Sequence, residues 1–152
     1  LNERIASDVG RSHIDIAYEQ RGNPAHPTVL LVMGIAAQLV HWPLGFLDAL
    51  VQRSLHIVRF DNRDAGRSTH LRAAPPADLP LRGDLSSASY TLSDMAADAV
   101  GLLDVLGVDA AHVVGASLGV EGMGHNLPRG LWERIADHIA EVVRRGESSS
   151  RP

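Results

Sequence analysis

Thr28-Val29-Leu30-Leu31-Val32-Met33 is apolar at every position after its threonine. A strand with one wet face alternates; an unbroken apolar run predicts a strand buried on both faces. Such a strand needs a layer on each side of its sheet. The rest of the chain supplies candidates for both. His13 to Tyr18 alternates polar and apolar, the period of a half-buried strand, and Leu55 to Phe60 and Ala111 to Val114 are further candidates. Arg4 to Val9 is a weaker one. Between these runs the apolar period lengthens to that of a helix. Leu44, Leu47, Leu50 and Val51 follow Pro43, a residue suited to a first helical turn. Thr91-Leu92-Ser93-Asp94 has the form of a capping box, with Leu92, Met95, Ala96, Ala99, Leu103 and Leu106 on one face and Gly107 as the stop. A last helix is expected from about Pro128 to Arg145, capped by Asn126. Its stripe is Leu131, Ile135, Ile139 and Val142, with Trp132 and Val143 alongside. Residues 146–152 read as a disordered tail, and residues 73–89 as a loop rich in Ala, Pro and Ser. Strands alternating with helices predict an α/β fold, a mostly parallel sheet of about five strands flanked by helices.

Composition narrows the function classes. The 152 residues fit one domain with a net charge of −4, which favours neither nucleic acid nor an anionic membrane as a partner. There is no cysteine, so disulfides, thiolate metal sites and cysteine nucleophiles are excluded. No apolar stretch approaches the ~20 residues of a membrane span. The chain opens at Leu1 without a charged and then apolar leader, and a cytoplasmic location is the expectation.

The chemistry concentrates in one stretch. Gly115-Ala116-Ser117-Leu118-Gly119 follows the run Ala111 to Val114. A serine on a sharp strand-to-helix turn lifts its hydroxyl above the end of the sheet, and Gly115 and Gly119 are expected to remove Cβ atoms that would collide there. The competing reading is a structural turn. Neither G-x-G-x-x-G nor the Walker pattern occurs, which disfavours a nucleotide site. Gly122-Met123-Gly124-His125 places a candidate base shortly after the serine. After the central strand, Ile35 N–H can pair with Leu118 N–H as an oxyanion hole; a plain strand-to-loop glycine at Gly34 is the alternative. The eight histidines show no H-E-x-x-H spacing, so no metal site is expected.

Val29 to Gly34, Arg59 to Thr69, Val113 to Gly119 and Gly122 to Pro128 form four segments of one pattern, with Trp42-Pro43 also matching. Together they resemble the α/β-hydrolase superfamily, and within it the bacterial esterases of the anthracycline (aclacinomycin) methylesterase type. The string D-N-R-D-A-G-R-S-T is the most specific part of the pattern. The resemblance runs in two blocks, 1–119 and 121–145, and makes residues 1–145 a single, incomplete hydrolase domain. It implies a serine hydrolase acting on carboxylic esters, methyl esters among them, with Ser117 as nucleophile and His125 as base. It implies no cofactor. Between the blocks the family carries further strands, a lid and the catalytic acid; here the seam near 119–121 reads as an internal deletion. Glu121, Asp61 and Asp64 are the remaining carboxylates, the latter two expected in a local ion-pair network with Arg63 and Arg67. A hydrolase-like remnant or interaction module is the alternative. Without later strands, the run Ala111 to Val114 becomes a sheet edge through which the chain is expected to self-associate.

Overall fold

The computed structural model describes residues 2–34, 37–71, 90–116 and 132–149. Its elements are β1 (Arg4–Val9), β2 (Ile14–Arg21), β3 (Thr28–Met33), a 3-10 turn (Leu39–His41), α1 (Leu44–Val51), β4 (His56–Phe60), α2 (Leu92–Val105), β5 (His112–Ala116) and α3 (Trp132–Ser149). The strands form one sheet in the order β1-β2-β4-β3-β5. β3 lies parallel to β4 and β5, whereas β2 is antiparallel to both β1 and β4. The expectation of a mostly parallel sheet is therefore corrected: the sheet is mixed. The link between β1 and β2 is far shorter than the dozen or more residues of a parallel crossover, so these strands close as a hairpin.

β3 occupies the place its composition demands. Val29, Leu31 and Met33 face a cluster with Phe46, Leu47 and Leu50 of α1 and Ala136, Ala140 and Val143 of α3. Leu30 and the half-buried Val32 face the opposite cluster, built on Ile16, Val58, Phe60 and Leu102 of α2. Alternate residues of one strand thus feed two cores.

The helix signals translate directly for α2. Asp94 N–H donates to Thr91 Oγ1 at 3.2 Å, and Thr91 N–H donates to Asp94 Oδ2 at 2.7 Å. The Thr91 N–H, and after it the Thr91 hydroxyl, donate to the Asp94 carboxylate and hold it below its ordinary range. Gly107, at φ +66°, takes the left-handed conformation just past the helix end.

The stripe expected on the last helix is rotated. Ala136, Ala140 and Val143 are buried, Trp132, Ile135 and Ile139 are half-buried, and Val142 is 53% exposed. Small residues win the central line because α3 packs closely on α1. A Cβ on Gly45 of α1 would collide with the Trp132 ring. Arg53, just past α1, ties the pair with Nε to Asp137 at 2.8 Å and Nη2 to Glu133 at 2.7 Å. The disordered tail is corrected too, for residues 146–149, because α3 continues to Ser149. Gly146 lies against His112, where an added Cβ would stand 3.0 Å from the ring. Glu147 Oε1 is 3.2 Å from His112 Nε2. The last turns of α3 are thereby docked on the start of β5. Leu131, Asn126 and Pro128 lie outside the described residues.

His56, at the start of β4, is buried with Nδ1 3.0 Å from Thr28 Oγ1, and its Nε2 has no hydrogen-bond partner among the described residues. Burial, and secondarily the charge of His26, lower its pKa. The unfolded chain then takes up this proton more readily than the folded one. Stability from a neutral His56 is complete above the unfolded value of about 6.5 and is lost as pH falls below it. Urea titrations between pH 7.5 and 5 are expected to show this slope, and His56→Gln to reduce it. An identical slope in the variant counts against the assignment.

Candidate active site

β3 and β5 are in parallel register, Met33 opposite Ala116, so both strands leave the sheet at the same end. Ser117 is the next residue after Ala116, and Ile35 stands two after Met33. Ser117, Leu118, Gly119, Glu121, His125 and Ile35 themselves lie outside the described residues. Gly115 is described, in β5. A Cβ there meets no described atom within 4 Å, and the residues expected to fold back over it, from Ser117 on, lie outside the described residues.

What the structure does build is the support of the loop after β3. Asn62 Nδ2 donates to the Met33 carbonyl at 2.8 Å, which pins the stem where the loop begins. Leu39 N–H donates to Asp61 Oδ1 at 2.6 Å, which pins the far stem. Arg59 Nη1 reaches the carbonyls of Leu39 and Trp42 at 2.9 and 3.0 Å, while its Nε donates to Glu19 Oε2 at 2.8 Å. Arg59 and Glu19 are both buried. Three residues from the end of β4 and the turn after it therefore hold both ends of the segment that contains Ile35.

The carboxylates of the D-N-R-D string serve mainly backbone groups, with Asp64 also hydrogen-bonded to the Tyr90 side chain. The second oxygen of Asp61 accepts Arg67 N–H at 3.0 Å, and Asp64 Oδ1 accepts Leu71 N–H at 2.6 Å. The expected network of Asp61 and Asp64 with Arg63 and Arg67 is corrected. Arg63 instead leaves the loop to clasp Asp98 of α2, Nε to Oδ2 at 2.6 Å and Nη2 to Oδ1 at 2.7 Å. Its guanidinium also lies 5.2 Å from the Tyr90 ring centre. Arg67 reaches Glu3 at 3.0 Å. In a tight turn the nearest donors to a short Asp are backbone N–H groups, whereas the long arginines reach other elements. Ser68 completes the turn, donating to the Asp61 carbonyl and accepting Ala17 N–H.

Arg59, Asn62 and Glu19 were not singled out as functional from the sequence. The available signal was an arginine between the apolar residues Ile57, Val58 and Phe60, opposite a glutamate in another strand. Among the described residues no group of three or more His, Asp or Glu is placed to hold a metal. No helix among them is long and apolar enough to cross a membrane.

Comparison with known proteins agrees with this frame. The alpha/beta hydrolase fold family matches residues 27–120. Rhodomycin D methylesterase of Streptomyces peucetius is 38% identical over 101 residues, 66% of this chain and 30% of that protein. A putative carbamate hydrolase of Caulobacter segnis is 36% identical over 106 residues, 68% of this chain and 34% of that one. The crystal structure of a hydrolase from Pseudomonas aeruginosa superposes with TM-score 0.59 at 30% identity, covering 78% of this chain and 37% of that one. The chain spans about a third of the length of the curated relatives it matches. With the family match over residues 27–120, this chain belongs to the α/β-hydrolase family.

Proposed function

We propose that the chain carries the nucleophile half of a serine hydrolase site for carboxylic esters. One observation supports this above the others: Ser117, within G-x-S-x-G, directly follows β5, the parallel neighbour of β3. Ser117 Oγ attacks the ester carbonyl while His125 takes its proton. The N–H groups of Ile35 and Leu118 stabilise the oxyanion. Collapse expels the alkoxide, which receives the proton from His125, and leaves an acyl-serine that water hydrolyses. A small-molecule ester is the substrate class, and the methylesterase relatives favour methyl esters. No cofactor enters this chemistry.

The acid is the weak member. Both oxygens of Asp61 are engaged by backbone N–H groups and Asp64 holds Leu71, so these two carboxylates serve the loop, and no carboxylate is assigned to orient His125. A misdirected histidine can lower kcat by about 10⁴. Steady-state turnover is then a poor probe, and covalent capture a good one. A fluorophosphonate reagent is expected to label the chain at a single site that Ser117→Ala abolishes, with a p-nitrophenyl acetate burst of matching stoichiometry. No labelling, or equal labelling of the variant, would sink the proposal.

A second reading, a non-catalytic hydrolase-like module that acts by association, draws on the position of β5 as an outermost strand of the sheet. Under it, neither labelling nor burst is seen.

A further inference from the structure

The two edges of the sheet differ in kind. β1, at one end, carries Arg4 and Asp8. Its register with β2 breaks between Ala6 and Val9, and Asp8 has φ +60°. Charges and a bulge are the usual means by which an edge strand is kept from pairing with another chain. β5, at the other end, has none of them. His112 to Ala116 contains no Lys, Arg, Asp, Glu or Pro, and its register with β3 is unbroken over all five residues.

β5 is also covered on one face alone among the described residues. Val114 and Ala116 pack into the cluster shared with α1 and α3. Val113, opposite Leu30, points to the α2 side. α2 packs over the β1 end of the sheet, and Val113 is left 66% exposed. Among the described residues no strand pairs with the far side of β5, and a regular, uncharged strand open on one side asks for another strand.

We infer that β5 pairs antiparallel with β5 of a second copy across a two-fold axis, joining two sheets into one. The edge is its own complement. With the axis at Val114, His112 of one copy stands beside Ala116 of the other, and no like charges meet. Size decides the strength. A five-residue strand is about 17 Å long and a sheet about 10 Å thick, a footprint of roughly 200 Å² per chain. A stable interface takes about 800 Å² per partner. The pairing is therefore weak and reversible. Because each chain carries −4, added salt strengthens it by screening repulsion. An interface built on ion pairs would weaken instead.

Sedimentation velocity of the full chain from 2 to 200 µM, at 50 and 500 mM NaCl, tests this. The expected result is a monomer–dimer equilibrium that shifts to dimer with concentration and salt. Val113→Lys is expected to shift half-association at least tenfold upward, while Val142→Lys on exposed α3 surface leaves it unchanged. Hydrogen exchange on the unmodified chain provides a second reading: β5 amides slow as concentration rises, while β1 amides do not. A monomer throughout the range, as when another part of the chain covers β5, overturns the inference. So does a dimer equally stable in Val113→Lys, or one whose formation leaves β5 exchange unaltered.

Discussion

In the Glu19→Ala variant the unfolding free energy is expected to fall by about 3–5 kcal/mol, the cost of leaving one member of a buried ion pair unpaired. Arg59 is 1% exposed, and Glu19 receives its Nε and Nη2. With the carboxylate gone the guanidinium keeps its charge and has no water to turn to. Against a total stability of about 5–15 kcal/mol, such a loss is about a fifth of the whole or more. Urea denaturation with an unchanged m-value measures it. The double variant Glu19→Leu, Arg59→Met removes the stranded charge, and buried pairs replaced this way are often neutral. Here recovery is expected to be partial. Arg59 Nη1 also serves the Leu39 and Trp42 carbonyls, and a buried acceptor left alone costs about 1–3 kcal/mol. A loss below about 1 kcal/mol in Glu19→Ala would show that the pair is solvated and that this account of it is wrong.

Gly66→Ala is expected to cost about 3 kcal/mol or more, from two sources that a control separates. Gly66 has φ +52°, where an L-residue is strained by about 1–2 kcal/mol. Its added Cβ also lands on the Asp61 carboxylate. That carboxylate is buried and holds the N–H groups of Leu39 and Arg67, so displacing it strands donors on both sides of the loop. Gly107 is the matched control: its φ is +66°, and an added Cβ meets nothing within 4 Å. Gly107→Ala should show the strain alone, about 1 kcal/mol. Equal losses in the two variants, measured by thermal and urea unfolding, would remove Asp61 from the argument. Faster amide exchange at Leu39 in Gly66→Ala alone would tie the loss to the loop after β3.

Local patterns in the chain translated well into elements. Thr91 and Asp94 form the reciprocal cap that their spacing implies, and Thr28 to Met33 is β3 with the limits expected of it. Periodicity reports which residues are apolar, though, and cannot say which of them meet a neighbour. Val142 belongs to the apolar stripe of α3 by sequence, yet the line of contact runs through Ala136 and Ala140, because α1 comes close enough at Gly45 to exclude bulk. Strand direction was illegible for a similar reason. Alternating strands and helices suggest parallel pairing, and β2 escapes because a short turn feeds it. For the site, D-N-R-D-A-G-R-S-T marked the right segment but the wrong bonds. Charge complementarity drew Asp61 and Asp64 to their neighbouring arginines, whereas Arg63 spans to Asp98, 35 residues on. Asn62 carries no charge and no motif weight, and its bond to the Met33 carbonyl follows from topology alone.

The order of the strands also sets a timetable for synthesis. β1 to β4 and α1 are complete by Phe60, but β3 finds its second neighbour in β5 some 80 residues after its own start. α1 waits as long for α3, since Arg53 and its partner Glu133 are 80 residues apart. At about 5–20 residues per second, a ribosome leaves that side of β3 and the apolar face of α1 without their partners for roughly 4–16 s. Hairpins form in microseconds, so β1 and β2 join long before then. The nascent chain therefore passes through a stage in which its most apolar strand is an open edge, and the interval before β5 and α3 emerge is when a chaperone would have most to shield.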